Sequence, residues 1–147
     1  MMEPRQRPTR LGKDMYGGSP AVMVSCGDQH TLDTLVPTGV GCGWGYTGQV
    51  GHGDTANKLV FMLVAEERFR GAQIVMVAAG GRHSVAVGAE GRVWTWGYGE
   101  FGQLGHNDGG NRLVPTQLAG EVLGAAEMVL VTAGAVPWLC AHSGCDN

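Results

Sequence analysis

Between Ile74 and Gly97 the apolar residues fall into three short runs separated by glycine. In the first, Val75 and Val77 alternate with Met76 and Ala78, and Gly80-Gly81 ends the run. In the second, Ser84-Val85-Ala86-Val87, the two valines share a face. The third, Val93-Trp94-Thr95-Trp96, is β-branched and aromatic, which suits a packed pleated surface, and its tryptophans are two apart and share a face. Ala89-Glu90-Gly91 predicts a tight turn between the last two runs. From Gly97 to Gly110 glycine takes six of fourteen positions, at 97, 99, 102, 105, 109 and 110, which predicts a long loop shaped by its backbone. The segment therefore reads as strand, turn, strand, tight turn, strand, loop.

The same pattern stands upstream. Val22-Met23-Val24-Ser25-Cys26-Gly27-Asp28-Gln29-His30-Thr31 aligns with Val75-Met76-Val77-Ala78-Ala79-Gly80-Gly81-Arg82-His83-Ser84 at an offset of 53. Trp44-Gly45-Tyr46 aligns with Trp96-Gly97-Tyr98 at 52, and Gly48-Gln49-Val50-Gly51-His52 with Gly102-Gln103-Leu104-Gly105-His106 at 54. Asn57-Lys58-Leu59-Val60 and Asn111-Arg112-Leu113-Val114 keep the 54. A third copy begins at Met128-Val129-Leu130-Val131-Thr132-Ala133-Gly134 and loses the pattern at Ala135-Val136-Pro137, unless a five-residue insertion lets His142-Ser143 match His83-Ser84. A repeat of about 50 residues made of short strands means a propeller or an array.

This divides the chain into a disordered, mildly basic tail (1–20), a degenerate first repeat (21–64), a second repeat (65–118), and the start of a third with a tail (119–147). The first copy is expected to be the less regular. Pairing Gly39 with Gly91 leaves it one extra residue after His30, Gly41-Cys42-Gly43-Trp44 stands for Val93-Trp94-Thr95-Trp96, and its glycine loop is two residues shorter. Residues 65–73 are polar and are expected to form at most one helical turn.

Composition narrows the classes. Glycine fills 26 of 147 positions, far above ordinary usage, without a collagen period, so it belongs to turns. The net charge of −3 gives no reason to expect nucleic-acid binding beyond the arginines of the tail, Arg5, Arg7 and Arg10 with Lys13. Cys26 and Cys42, aligned with Ala79 and Trp94, are expected to be buried free thiols. Cys140, His142 and Cys145 make one isolated C-x-H-x-x-C cluster, weak for zinc. Residues 123–141 are mostly apolar, but Glu127 and Pro137 interrupt them and the repeat accounts for 128–134 as a strand. The polar start argues for an intracellular protein, cytoplasmic or nuclear.

Candidate chemistry is sparse. His30 and His83 occupy matching positions at the start of a strand without a nucleophile or carboxylate recurring beside both, so hydrogen bonding to backbone across repeats is the expected role. His52, His106, Asp54 and Asp108 recur in a glycine loop where turn-stabilising Asp is the commoner use. Gly97-Tyr98-Gly99-Glu100-Phe101-Gly102 has the letters of a dinucleotide motif, but no helical pattern follows it. No enzyme, metal or cofactor is expected.

Through Val77-Ala78-Ala79-Gly80-Gly81-Arg82-His83-Ser84, Gly91-Arg92-Val93-Trp94-Thr95-Trp96-Gly97, Gly102-Gln103-Leu104-Gly105-His106 and their first-copy counterparts, the chain resembles the regulator of chromosome condensation repeat family. The resemblance implies an all-β fold: an incomplete β-propeller of about two four-stranded antiparallel blades plus the start of a third. Seven such blades need roughly 350 residues, which makes the chain a fragment or truncated product, or one that self-associates through open blade edges. The implied function is protein interaction, with a small GTPase, ubiquitin-ligase machinery or, through the tail, chromatin as the partner. The candidate partner-binding residues are Asp28, Gln29, Arg82, Tyr98, Glu100 and Phe101. The candidate structural positions are His30, His83, Gly80, Trp96, Gly102 and Gly105.

Overall fold

The computed structural model describes residues 21–35, 39–119, 131–133 and 139–141. The expectations for the N-terminal tail and for His142 and Cys145 lie outside these residues. Among the described residues ten strands run in chain order: β1 (Ala21–Cys26), β2 (His30–Leu35), β3 (Gly39–Gly43), β4 (Lys58–Leu63), β5 (Ile74–Ala79), β6 (His83–Gly88), β7 (Val93–Gly97), β8 (Arg112–Gln117), β9 (Val131–Ala133) and β10 (Leu139–Ala141). They form two four-stranded antiparallel meanders, β1-β2-β3-β4 and β5-β6-β7-β8, and one antiparallel pair, β9-β10. Each meander is one blade of a β-propeller. Among the described residues no helix is long and apolar enough to cross a membrane.

The two blades superpose strand for strand in the chain, at an offset of 53 for the first two strands and 54 for the last two. Even their irregularities match, with register shifts near the start of β1 and β5 and again between β3 and β4 and between β7 and β8. This corrects the alignment at the tryptophans. His30 pairs with Gly43 as His83 pairs with Gly97. Cys42 therefore corresponds to Trp96, and Trp44 corresponds to Tyr98. The backbone agrees, because Trp44 N–H donates to the Gln29 carbonyl at 2.8 Å and Tyr98 N–H to the Arg82 carbonyl at 2.9 Å. The glycine loops are thus equal in length, and the first blade is one residue shorter at its β2–β3 turn, not longer. The Trp-Gly-Tyr match is one of letters, whereas register follows strand pairing.

Glycine at the end of β3 and β7 has a steric cause. Gly43 and Gly97 have φ of 112° and 100°, and a Cβ on either would come within 2.6 Å of the Gln29 or Arg82 carbonyl oxygen.

The core lies between the blades. Leu32 and Val64 of the first blade meet Val77, Ala79, Ala86, Trp94 and Trp96 of the second, together with Phe69 and Ala72 from the connector. Residues 66–69 form one 3-10 turn, which drives Phe69 edge-on against Trp94 and Trp96 at centroid distances of 5.8 and 6.2 Å. The opposite face of the second blade carries Ala78, Val85, Val87 and Val93, with Met76 and Leu118 against them. β9 runs beside β5 and β6.

The register of the third repeat bears on the alternative of a five-residue insertion. In β9-β10, Leu139 stands opposite Ala133, the place that Ser84 takes opposite Ala79. A five-residue insertion placing Ser143 there is excluded by this register.

Candidate functional site

The seam between the blades is stitched by polar groups at fixed repeat positions. His30 Nε2 lies 2.8 Å from Ser84 Oγ, and Ser84 Oγ donates its hydrogen to the Gln49 carbonyl at 2.7 Å. A hydroxyl has one hydrogen, so His30 Nε2 carries the proton and donates to Ser84. Its Nδ1 is then a bare, buried lone pair with no partner among the described residues. Trp96 Nε1 donates to the same Gln49 carbonyl at 2.9 Å, and Ala79 N–H donates to Ser25 Oγ at 2.9 Å. At the outer strand Gly53 N–H reaches the Leu113 carbonyl at 2.9 Å. Histidine does reach across blades, but to a hydroxyl that relays the bond to backbone rather than to backbone itself. Burial, with His83 adding a smaller effect, lowers the His30 pKa to about 4. Burial likewise holds His83 below its ordinary value, and its Nε2 has no partner among the described residues.

The aspartates of the glycine loops are committed to the loops. Asp54 accepts from Ala56 N–H and pairs with Lys58, while Asp108 accepts from Gly110 N–H and pairs with Arg112. These bonds hold both carboxyls below the usual carboxylate range. His52 Nε2 lies 3.1 Å from the Met62 carbonyl oxygen, and His106 Nε2 lies 3.0 Å from Thr95 Oγ1, so the two histidines serve separate loops.

The cysteines depart from expectation. Cys26 and Cys42 are free, but Cys26 is exposed and Cys42 half-buried, whereas Ala79 and Trp96 at the equivalent positions of the second blade are buried in the core between the blades. The same side of the first blade carries Asp33, where the second blade has Ala86. Its carboxyl is buried, one oxygen is unpartnered among the described residues, and burial pushes its pKa up.

All six predicted partner-binding residues lie at one end of the two blades. Asp28 and Gln29 occupy the β1–β2 turn and Arg82 the β5–β6 turn, while Tyr98, Glu100 and Phe101 begin the loop after β7. The turn and the loop are brought together by the backbone bonds to the Gln29 and Arg82 carbonyls described above. Tyr98 donates to Glu100 at 2.6 Å and meets Phe101 edge-on at 5.7 Å. Gln29 and Arg82 line a groove of about 340 Å³ with Trp44, Tyr46, Thr47 and Gln49. Sequence reasoning missed Trp44 and Tyr46, which are 51% and 79% exposed. The misplaced alignment had assigned Trp44 to the core position of Trp96. The structural positions behave differently from one another: Trp96, Gly80 and both histidines are buried in the blades, while Gly102 and Gly105 turn the exposed loop.

Comparison with known proteins agrees with this architecture. The regulator of chromosome condensation (RCC1) repeat model matches residues 41–87 and 90–136, and a second model of the same repeat matches 74–103. The chain belongs to the RCC1 repeat family. Its sequence repeat is staggered against the blade, because residues 41–87 take in β4 and β5 and most of β3 and β6, and so span the seam. The Arabidopsis thaliana ultraviolet-B receptor UVR8 is 37% identical over 97 residues, 65% of this chain and 22% of that protein. Human E3 ubiquitin-protein ligase HERC2 is 37% identical over 110 residues, 74% of this chain and 2% of that protein. Among solved structures, human WBSCR16 superposes with a TM-score of 0.70 at 28% identity, covering 80% of this chain and 29% of that one. Prp20p of Saccharomyces cerevisiae, described with its binding to Gsp1p and histones, gives 0.65 at 23%, covering 79% and 29%. The chain thus spans less than a third of each of these proteins.

Proposed function

We propose that this chain is a non-catalytic interaction module that meets a protein partner with the loop end of its blades. The observation that supports this most directly is the convergence of exposed aromatic and charged loop residues at that end, around an open groove, on a backbone fixed by two repeated bonds. Loops held by a rigid sheet are suited to recognition, and exposed Trp, Tyr and Arg are the residue types enriched in interface anchors. The RCC1 repeat relatives make a small GTPase or a ubiquitin-ligase component the partner to test first. HERC2 supports the second by its name, and the resemblance of the repeat supports the first.

The test places a photo-crosslinking residue at Tyr98 or Phe101, and in a control at Glu90, in the β6–β7 turn at the other end of the second blade. A defined partner captured from the loop end and absent from the control, with capture lost in Arg82→Ala, is the expected result. Equal capture from both ends, or none, would overturn the assignment of the face.

A further inference from the structure

The groove between the two blades has a definite chemistry. Five of its six lining residues, Gln29, Trp44, Tyr46, Thr47 and Gln49, are uncharged, and Arg82 is its sole charge. The cations Lys58, Arg92 and Arg112 are each paired with a carboxylate within their own loops, at 2.8, 3.0 and 2.6 Å. Arg82 is exposed and takes part in none of the ion pairs among the described residues. Its root does not move freely. The Arg82 carbonyl accepts Tyr98 N–H at 2.9 Å, and the Thr47 hydroxyl of the other blade approaches it at 3.4 Å. Thr47 is itself tied through its N–H and hydroxyl to Gln49 Oε1 at 3.0 and 2.8 Å. Thr47 and the Gln49 side-chain oxygen are therefore bonded to each other, and the Trp44 and Tyr46 rings and one guanidinium face the groove.

Size and charge narrow that ligand. About 340 Å³ is near the lower end of ligand pockets, which run roughly 300–1,000 Å³, and holds a side chain or two rather than a whole cofactor. The lining holds one guanidinium and no carboxylate, which matches a single anionic group, and a planar carboxylate fits the guanidinium fork with two parallel hydrogen bonds. A nucleic-acid backbone would need a row of cations outside ion pairs, and among the described residues Lys58 and Arg112 at this end are both ion-paired. We propose that the groove at the blade junction takes a short protein segment in which a carboxylate side chain adjoins an aromatic one, the carboxylate on Arg82 and the ring against Trp44 and Tyr46. This rests on the loop end being the partner-binding face. The pairing is a charge-assisted hydrogen bond beside a stacked ring, each half incomplete without the other.

The test is titration of the full ¹⁵N-labelled chain with the blocked peptide Ac-Gly-Asp-Phe-Gly-NH₂ at millimolar concentration. The expected result is movement of the Trp44 indole N–H and the Arg82 and Thr47 amide signals. Replacing Asp by Asn, or Phe by Ala, in the peptide weakens binding about tenfold. Arg82→Glu, a change on an exposed side chain, abolishes binding of this peptide and transfers preference to Ac-Gly-Lys-Phe-Gly-NH₂, while Trp44→Ala weakens both. Equal binding of the Asp and Asn peptides, or inorganic phosphate moving the same signals as strongly, would overturn the proposal. So would absence of any peptide shift while crosslinks from the loop end still capture a partner; that result leaves the interaction face standing and removes only its assigned chemistry.

Discussion

At the scale of single residues, the seam depends on one imidazole being neutral. His30 must hold a proton on Nε2 to donate to Ser84, and a second proton on the buried Nδ1 would find no acceptor. Its folded value of about 4 lies below the ordinary 6.5, so the unfolded chain takes up the proton first as pH falls. Stability from this group is complete above about pH 6.5, declines through the window between 6.5 and 4, and levels off below it. The full shift corresponds to roughly 3 kcal/mol. His83 acts in the same direction, whereas Asp33, with its raised value, acts in the opposite one. Urea unfolding at a series of pH values should show the decline, and His30→Gln should make it measurably shallower. An unchanged slope in the variant would show that another group titrates. The sequence placed both histidines at equivalent points but could not name the Ser84 relay, because the bond joins residues 54 apart through a neighbouring blade.

At the scale of elements, the connector does more than link. Phe69 is fully buried against two tryptophans, in a stretch whose polar composition gave no sign of a core residue. Phe69→Ala should cost about 3–5 kcal/mol in chemical denaturation, the range for emptying a buried aromatic site. Trp96→Phe keeps most of the volume and removes the bond to the Gln49 carbonyl, which Ser84 continues to satisfy. The loss there should be nearer 1 kcal/mol, and a loss equal to that of Phe69→Ala would mean that the indole acts through packing instead. Strands β5, β6 and β7 were legible from alternation and glycine punctuation, and β1 to β3 from the repeat, whereas β4 and β8 followed only from the family resemblance and β10 was not read. Register in the first blade was not legible, because Gly39, Gly41 and Gly43 leave β3 almost without side chains to read, so a tryptophan two residues away was matched instead.

At the scale of the whole molecule, the same residue type at one repeat position meets two fates. Val77 is 3% exposed beneath the first blade, while its counterpart Val24 is 55% exposed on the far flank of that blade. Exposed apolar side chains on an outer sheet face invite association. The 147-residue chain should therefore show a weight-average mass that rises with concentration in sedimentation equilibrium, and Val24→Thr, which keeps β propensity, should lower it. A single-chain mass at all concentrations would show that flank to be inert.

The sequence alone was enough to establish the first three strands of a blade, the repeat and the family resemblance, since these follow from local alternation, turn chemistry and the recurrence of short motifs. It also singled out the loop residues that gather at one end. The tertiary structure alone decided which residues are equivalent, where Trp44 points, that Phe69 fills the seam, and that His30 speaks to Ser84. Each of those depends on pairing or packing between residues 13 to 54 apart, where contact is set by strand register and by how one sheet lies on the next and not by the neighbours in the chain.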